Sequence, residues 1–216
     1  IWLDSLMMWG ILAFEYGLHE NDPELLDFAL EQVKIFETYL QDANTGLFYH
    51  AYDITKGKLY PEDNAFWLRG NGWVAYALAT ILEQLPETDR RYQGIAKVFT
   101  KQMQTLLSLQ DLTGLWDTLV LEGDGYLESS GSALIAASFL KAHRIALLDD
   151  RYRLAAEKTL AAISSHLVAR RGGYTVEMIS KGTNPGNSKD YRRVSLDRNL
   201  NYGVGAYFLL LKEFKR

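Results

Sequence analysis

Three stretches of the chain place apolar residues at helical spacing on one face and charges on the other. In the first, Leu26, Ala29, Val33, Phe36 and Leu40 follow Asn21-Asp22-Pro23-Glu24, which reads as a cap with proline in the first turn. The second starts near Asp89 with Tyr92, Ala96, Phe99, Met103 and Leu106. The third starts near Asp149 with Tyr152, Ala156, Leu160 and Ile163. All three predict half-exposed outer helices. Each leads into a similar short phrase: TGLFYHAYD at 45–53, TGLWDTLVL at 113–121 and GGYTVEMIS at 172–180. A polar loop and then a helix of small and apolar residues follow, from Gly70, Ser129 and Tyr202. These helices are apolar nearly all round, as helices buried on every side are.

The pattern repeats at about 60–70 residues. With the opening segment counted as an inner helix, it predicts about seven helices. Alternating outer and inner helices build an all-α fold, an α/α toroid, as a single domain over residues 1–216. The loops before the inner helices gather at one end, a natural place for a pocket. No strand ladder is expected beyond small β-turn pieces there.

Charge and composition narrow the function classes. The net charge of −4 argues against a nucleic-acid surface, so any anion must be held by a local arginine. The absence of cysteine excludes disulfides and thiolate catalysis. Asp4, Ser5, Gly10 and Glu15 interrupt the apolar opening, and no basic flank precedes it, which argues against a membrane span. No signal peptide is visible, and the reading is cytoplasmic. The chain opens in mid-helix, which suggests a start further upstream. GNGWVA fits a dinucleotide fingerprint, but no buried strand precedes it, and nucleotide binding is rejected.

The candidate chemistry is sparse. Asp4, in the apolar IWLDSLMMW, is a helix cap, a satisfied buried group or a catalytic acid. Arg69, in FWLRGNGW between Trp67 and Trp73, either takes a carboxylate with two parallel hydrogen bonds or pins its loop as a cation–π cluster. His50 is either structural or part of a site. No second histidine or cysteine stands at ligand spacing, so neither metal nor cofactor is expected. Ser132 reads as capping and close packing. Lys189, Arg192, Arg193 and Asp197-Arg198 read as solvated surface.

The segments IWLDSLMM, GLFYHAYD, FWLRGNGWVAYAL, ESSGSALIAASFL and YGVGAYFLLL stand in an order and spacing that resemble glycoside hydrolase family 105. Those are the unsaturated rhamnogalacturonyl hydrolases, similar to the unsaturated glucuronyl hydrolases of family 88. The resemblance weakens between about Lys181 and Asn201. It implies an (α/α)6 toroid, of which this chain is about the second half. It also implies that Asp4 is the acid/base, and that Trp2, His50, Trp67, Arg69 and Trp73 bind the sugar. The family's further site aspartate, upstream of its WLD motif, has no counterpart here.

The implied reaction removes a 4,5-unsaturated uronic acid from the non-reducing end of an oligosaccharide made by a lyase, by hydrating the C4=C5 bond. The implied partners are that substrate, with neither nucleic acid nor membrane, and either the missing half of the ring or a second copy. Two other readings stand beside it. One is a two-carboxylate glycosidase pairing Asp4 with Asp117 or Glu128. The other is a helical-repeat binding scaffold.

Overall fold

The computed structural model describes residues 1–63, 65–123 and 125–215. A π-helical turn, Leu6–Gly10, runs directly into α1 (Ile11–Glu20). The outer helix α2 (Pro23–Leu40) begins as its sequence predicts, with the Asp22 carboxylate accepting from the backbone N–H groups of Glu24 and Leu25. Next come the inner helix α3 (Leu68–Gln84), the outer α4 (Tyr92–Ser108), the inner α5 (Ser129–Arg144) and the outer α6 (Asp150–Ser165). The chain closes on a short α7 (Ser188–Arg192) and the inner α8 (Asn201–Phe214).

Two details depart from the pattern. α4 starts at Tyr92, because the Asp89 carboxylate is taken by the backbone and guanidinium of Arg91 and makes a separate turn ahead of the helix. α7 is an additional helix, closed by a capping box between Asn187 and Asp190.

Small antiparallel strand pairs stand before the inner helices. β1 (Ala51–Asp53) pairs with β2 (Lys58–Tyr60), and β3 (Trp116–Asp117) with β4 (Leu127–Glu128). β5 (Val168–Arg170) pairs with β6 (Gly173–Thr175), and β7 (Ile179–Ser180) with β8 (Leu196–Asp197). They are the β-turn pieces the repeated phrases predict, here with ladder hydrogen bonds.

α3 packs on α5, and α5 on both α6 and α8, in one continuous core. α3 and α5 are buried along nearly their whole length, as their all-round apolarity requires. α1 and α8 are different. Met8, Trp9, Leu12 and Tyr16 are exposed on the first inner element, and Phe208 on the last. α1 and α8 therefore bury one face and leave an apolar face open.

Gly70 and Gly72 lie inside α3, where a dinucleotide fingerprint needs a loop. Their role is close approach. A Cβ on Gly72 would meet the Gly131 carbonyl at 3.0 Å, and one on Gly131 would stand 2.9 Å from the Arg69 backbone. Gly131→Ala should therefore cost about 1–3 kcal/mol, the usual penalty for overpacking, seen as a lower midpoint in chemical denaturation.

Candidate active site

Main-chain pairing brings the first four residues against the segment that carries His50. Trp2 bridges to Ala51, the Leu3 N–H donates to the His50 carbonyl at 3.0 Å, and the Tyr52 N–H donates to the Ile1 carbonyl at 2.8 Å. Asp4 Oδ2 then faces His50 Nε2 at 3.4 Å. Both atoms are buried and lack a protein hydrogen-bond partner. The His50 side chain is sealed from solvent, whereas Asp4 keeps 27% of its side chain accessible. Asp4 is thus the member of the pair that an incoming molecule can reach.

Aromatic rings enclose the imidazole. Trp67 lies 4.3 Å away between ring centroids, tilted by 31°, and Trp2 presents an edge at 5.6 Å. Trp2 is half-exposed and also lines a groove of about 660 Å³ with Tyr52, Asp53, Tyr60 and Pro185. The indole joins that groove to the Asp4–His50 pair.

Arg69 is buried, with 3% exposure, and its guanidinium is committed to the end of β7 and the loop after it. Nη1 donates to the Ser180 carbonyl at 2.8 Å and to Ser180 Oγ at 2.5 Å. Nη2 donates to the Lys181 carbonyl at 3.0 Å. The rings that flank it are Trp67 at 4.7 Å and Tyr202 at 4.5 Å, while Trp73 is buried in the main core one turn further on. So placed, Arg69 pins this loop, with Tyr202 in the place expected for Trp73.

Glu128 and Asp117, the candidate second carboxylates, are both engaged. Glu128 is buried and caps α5 through the N–H groups of Ser130 and Gly131. It also accepts from the Ser180 N–H and lies 3.8 Å from Arg69 Nη1. Asp117 accepts from the N–H groups of Leu119 and Gly125. Ser132 packs closely as expected, donating to the Glu128 carbonyl and accepting from the Trp116 N–H.

Sequence reasoning passes over Tyr191. It lies in α7 among Lys189, Asp190, Arg192 and Arg193, in the run read as surface, yet it is fully buried and its hydroxyl lies 2.9 Å from His50 Nδ1. Burial pushes its phenol well above the usual tyrosine range, so it keeps its proton. α7 is held down by the Asp63 carboxylate, which accepts from the Ser188 N–H, and by the Arg192–Glu122 ion pair. Burial raises the Asp63 carboxyl, but the hydrogen bonds from Ser188 and the charge of Arg192 outweigh it and hold the group below the usual carboxylate range. The one local signal was Asn187-x-x-Asp190, a capping-box spacing in an otherwise irregular segment.

The Glycosyl Hydrolase Family 88 model matches residues 1–216. The chain is 32% identical over 213 residues to the unsaturated rhamnogalacturonyl hydrolase YesR of Bacillus subtilis, covering 98% of this chain and 59% of that protein. It is 30% identical over 224 residues to an unsaturated 3S-rhamnoglycuronyl hydrolase of Formosa agariphila, covering 96% and 55%. Its fold is similar to a crystal structure described as a possible GH105 member from Salmonella enterica serovar Paratyphi A. There the TM-score is 0.92 at 31% identity, covering 99% of this chain and 56% of that one. The chain thus spans a little over half the length of these relatives.

The loop-pinning role of Arg69 has a direct readout. Arg69→Lys loses the planar fork that serves Ser180 and Lys181 together. Charged hydrogen bonds of about 1.5–3 kcal/mol translate into amide exchange roughly 10–10² times faster at Ser180 and Lys181, measured by hydrogen–deuterium exchange.

Proposed function

This chain belongs to glycosyl hydrolase family 88, and we propose that it acts as a hydrolase on oligosaccharides produced by polysaccharide lyases. It removes the 4,5-unsaturated uronic acid from the non-reducing end, in the manner of an unsaturated rhamnogalacturonyl hydrolase. The observation that carries this reading is the accessible Asp4 carboxyl, facing the buried His50 at 3.4 Å beside two indoles, while Glu128 and Asp117 are committed to backbone groups. A double-displacement or inverting glycosidase needs two carboxyl groups about the bond. Hydration of an enol ether needs one group that acts as acid and then as base.

In this mechanism Asp4 delivers a proton to C4 of the unsaturated ring, and cationic character develops at C5, shared with the ring oxygen. The Asp4 carboxylate then removes a proton from water as its oxygen bonds to C5. The resulting hemiketal opens and releases the remaining sugar. The faces of Trp2 and Trp67 suit a flattened ring. Arg69 completes the proposed uronate holders, whereas Trp73 is buried in the core and presents no open face to a sugar. For Arg69, holding the carboxylate means exchanging at least one of its bonds to Ser180 or Lys181 for the ligand.

The names of the relatives support a rhamnogalacturonan or rhamnoglycuronan fragment as substrate. No helix among the described residues is long and apolar enough to cross a membrane. A cytoplasmic location belongs to the same reading.

About half of a helical ring is a further part of it. The Met8–Leu12–Tyr16 stripe with Trp9 forms one open edge. The other is an apolar groove of about 780 Å³ along Val204, Phe208 and Leu211. We assign both edges to the helices that make up the rest of the relatives' length, or to a second copy of this chain. Apolar faces of this kind are seldom left open in a stable monomer. Sedimentation of residues 1–216 should show self-association or dye-binding apolar surface. A monodisperse monomer that binds no dye overturns the half-ring reading.

Asp4→Asn should leave the fold intact and lower hydration by about 10²–10⁴-fold, the usual worth of a positioned acid/base. Loss of the enol-ether absorbance, followed in an assembly that is active with Asp4, measures it. Near-full turnover by the variant removes Asp4 from the mechanism.

A further inference from the structure

We propose that Tyr191 is a positioning residue that fixes the tautomer of His50, placing the imidazole proton on Nε2, where it faces Asp4. A neutral imidazole carries one donor and one acceptor nitrogen, and the bond at one nitrogen decides the other. At Nδ1 the partner is the Tyr191 hydroxyl, 2.9 Å away. Burial keeps the phenol protonated, so the hydroxyl has a proton to give. The other ring nitrogen, Nε2, faces a carboxyl oxygen that can only accept when ionised, so the ring proton belongs on that side and the hydroxyl donates to Nδ1. The ring proton then sits on Nε2, 3.4 Å from Asp4 Oδ2.

The surroundings make this a built arrangement. Tyr191 is sealed with Ala65, Trp67 and Leu119, and its ring lies 5.8 Å from the imidazole and 6.5 Å from Trp67. α7 is fastened outside that cluster by its capping box and by Asp63 on Ser188. The phenol thus reaches His50 from a segment 141 residues away in sequence, and the last loop becomes part of the site. An Nε2–H on the side of Asp4 presents a positive edge to the carboxyl 3.4 Å away, and it favours the ionised carboxylate that has to take up a proton in the second half of the reaction. That catalytic consequence rests on the hydrolase reading above; the tautomer does not.

The test is nitrogen-15 NMR of the His50 ring in the purified 216-residue protein. The expected spectrum has a protonated Nε2 and an unprotonated Nδ1. In Tyr191→Phe, which removes only the oxygen, the two shifts should move toward an averaged tautomer mixture. A wild-type spectrum with Nδ1 protonated overturns the proposal, and so do unchanged shifts in the variant. Should Tyr191→Phe fail to fold, Asn187→Ala loosens α7 from its exposed end. It should move the shifts in the same direction, and unchanged shifts overturn the proposal equally.

In an active assembly, Tyr191→Phe should lower kcat by roughly 10–10²-fold, the scale of a misplaced catalytic group, with KM within about twofold. A change confined to KM overturns the positioning role. If the Nε2–H signature is present but no assembly consumes unsaturated oligosaccharides, the tautomer assignment is supported and only the hydrolase reading fails.

Discussion

A guanidinium with almost no solvent contact has to be surrounded by acceptors, and that requirement at Arg69 organises one end of the molecule. Stripping water from a charge costs several kcal/mol unless the lost hydrogen bonds are replaced. The replacements come from the end of β7 and the loop after it, which are drawn onto the first turn of α3. Glu128 answers the charge from the start of α5 and also takes the Ser180 N–H, so three separate chain segments meet around one cation. Trp67 stacks on the guanidinium and also lies against His50, which couples this electrostatic centre to the Asp4 pair. Breaking one partner leaves a buried charge short of bonds, so the arrangement is held as a unit.

The approach of α3 to α5 allows that meeting. Gly72 and Gly131 let the two backbones pass close enough for the N-termini of both helices to share partners. Asn71 extends the same economy sideways. It spans to Phe48 on both its N–H and its carbonyl and accepts from Gln102 on α4, tying the His50 segment to the inner helix without any exposed bond. The dense packing at this end contrasts with the outer flanks of α1 and α8, where Met8, Trp9, Leu12, Tyr16 and Phe208 stay exposed.

The parts of this structure legible in the sequence are those governed by local rules. Asp22-Pro23 and Asp149 mark the starts of α2 and α6 because a cap acts on residues two or three positions away. The all-round apolarity of α3 and α5 announces their burial for the same reason. Asp89 misleads, since an equally local competitor, Arg91, takes its carboxylate first. Asp4, His50 and Trp67 stand out by motif, but their meeting depends on backbone pairing across about fifty residues. The acceptors of Arg69 lie more than a hundred residues along the chain, so no spacing argument distinguishes a guanidinium held by its own fold from one waiting for a ligand. Tyr191 is hidden by its neighbours, because charged residues on both sides describe the outside of a five-residue helix and conceal its inward face.

The π-helical turn after Asp4 bears on how the open edge and the site coexist. Its hydrogen bond closes from the Ile11 N–H to the Leu6 carbonyl, one residue further than in an α-helix. That additional residue shifts the rotational phase between the helical residues Asp4 and Ser5 and α1. Residues 1–3 are fixed by pairing with residues 50–52, and Asp4 opens the helical run directly after them, whereas Met8, Leu12 and Tyr16 lie beyond or within the wider turn. The turn of wider bore thus sets the angular offset at which the outer stripe of α1 stands from the carboxylate, so the open edge and the Asp4–His50 pair lie at opposite ends of one helical run.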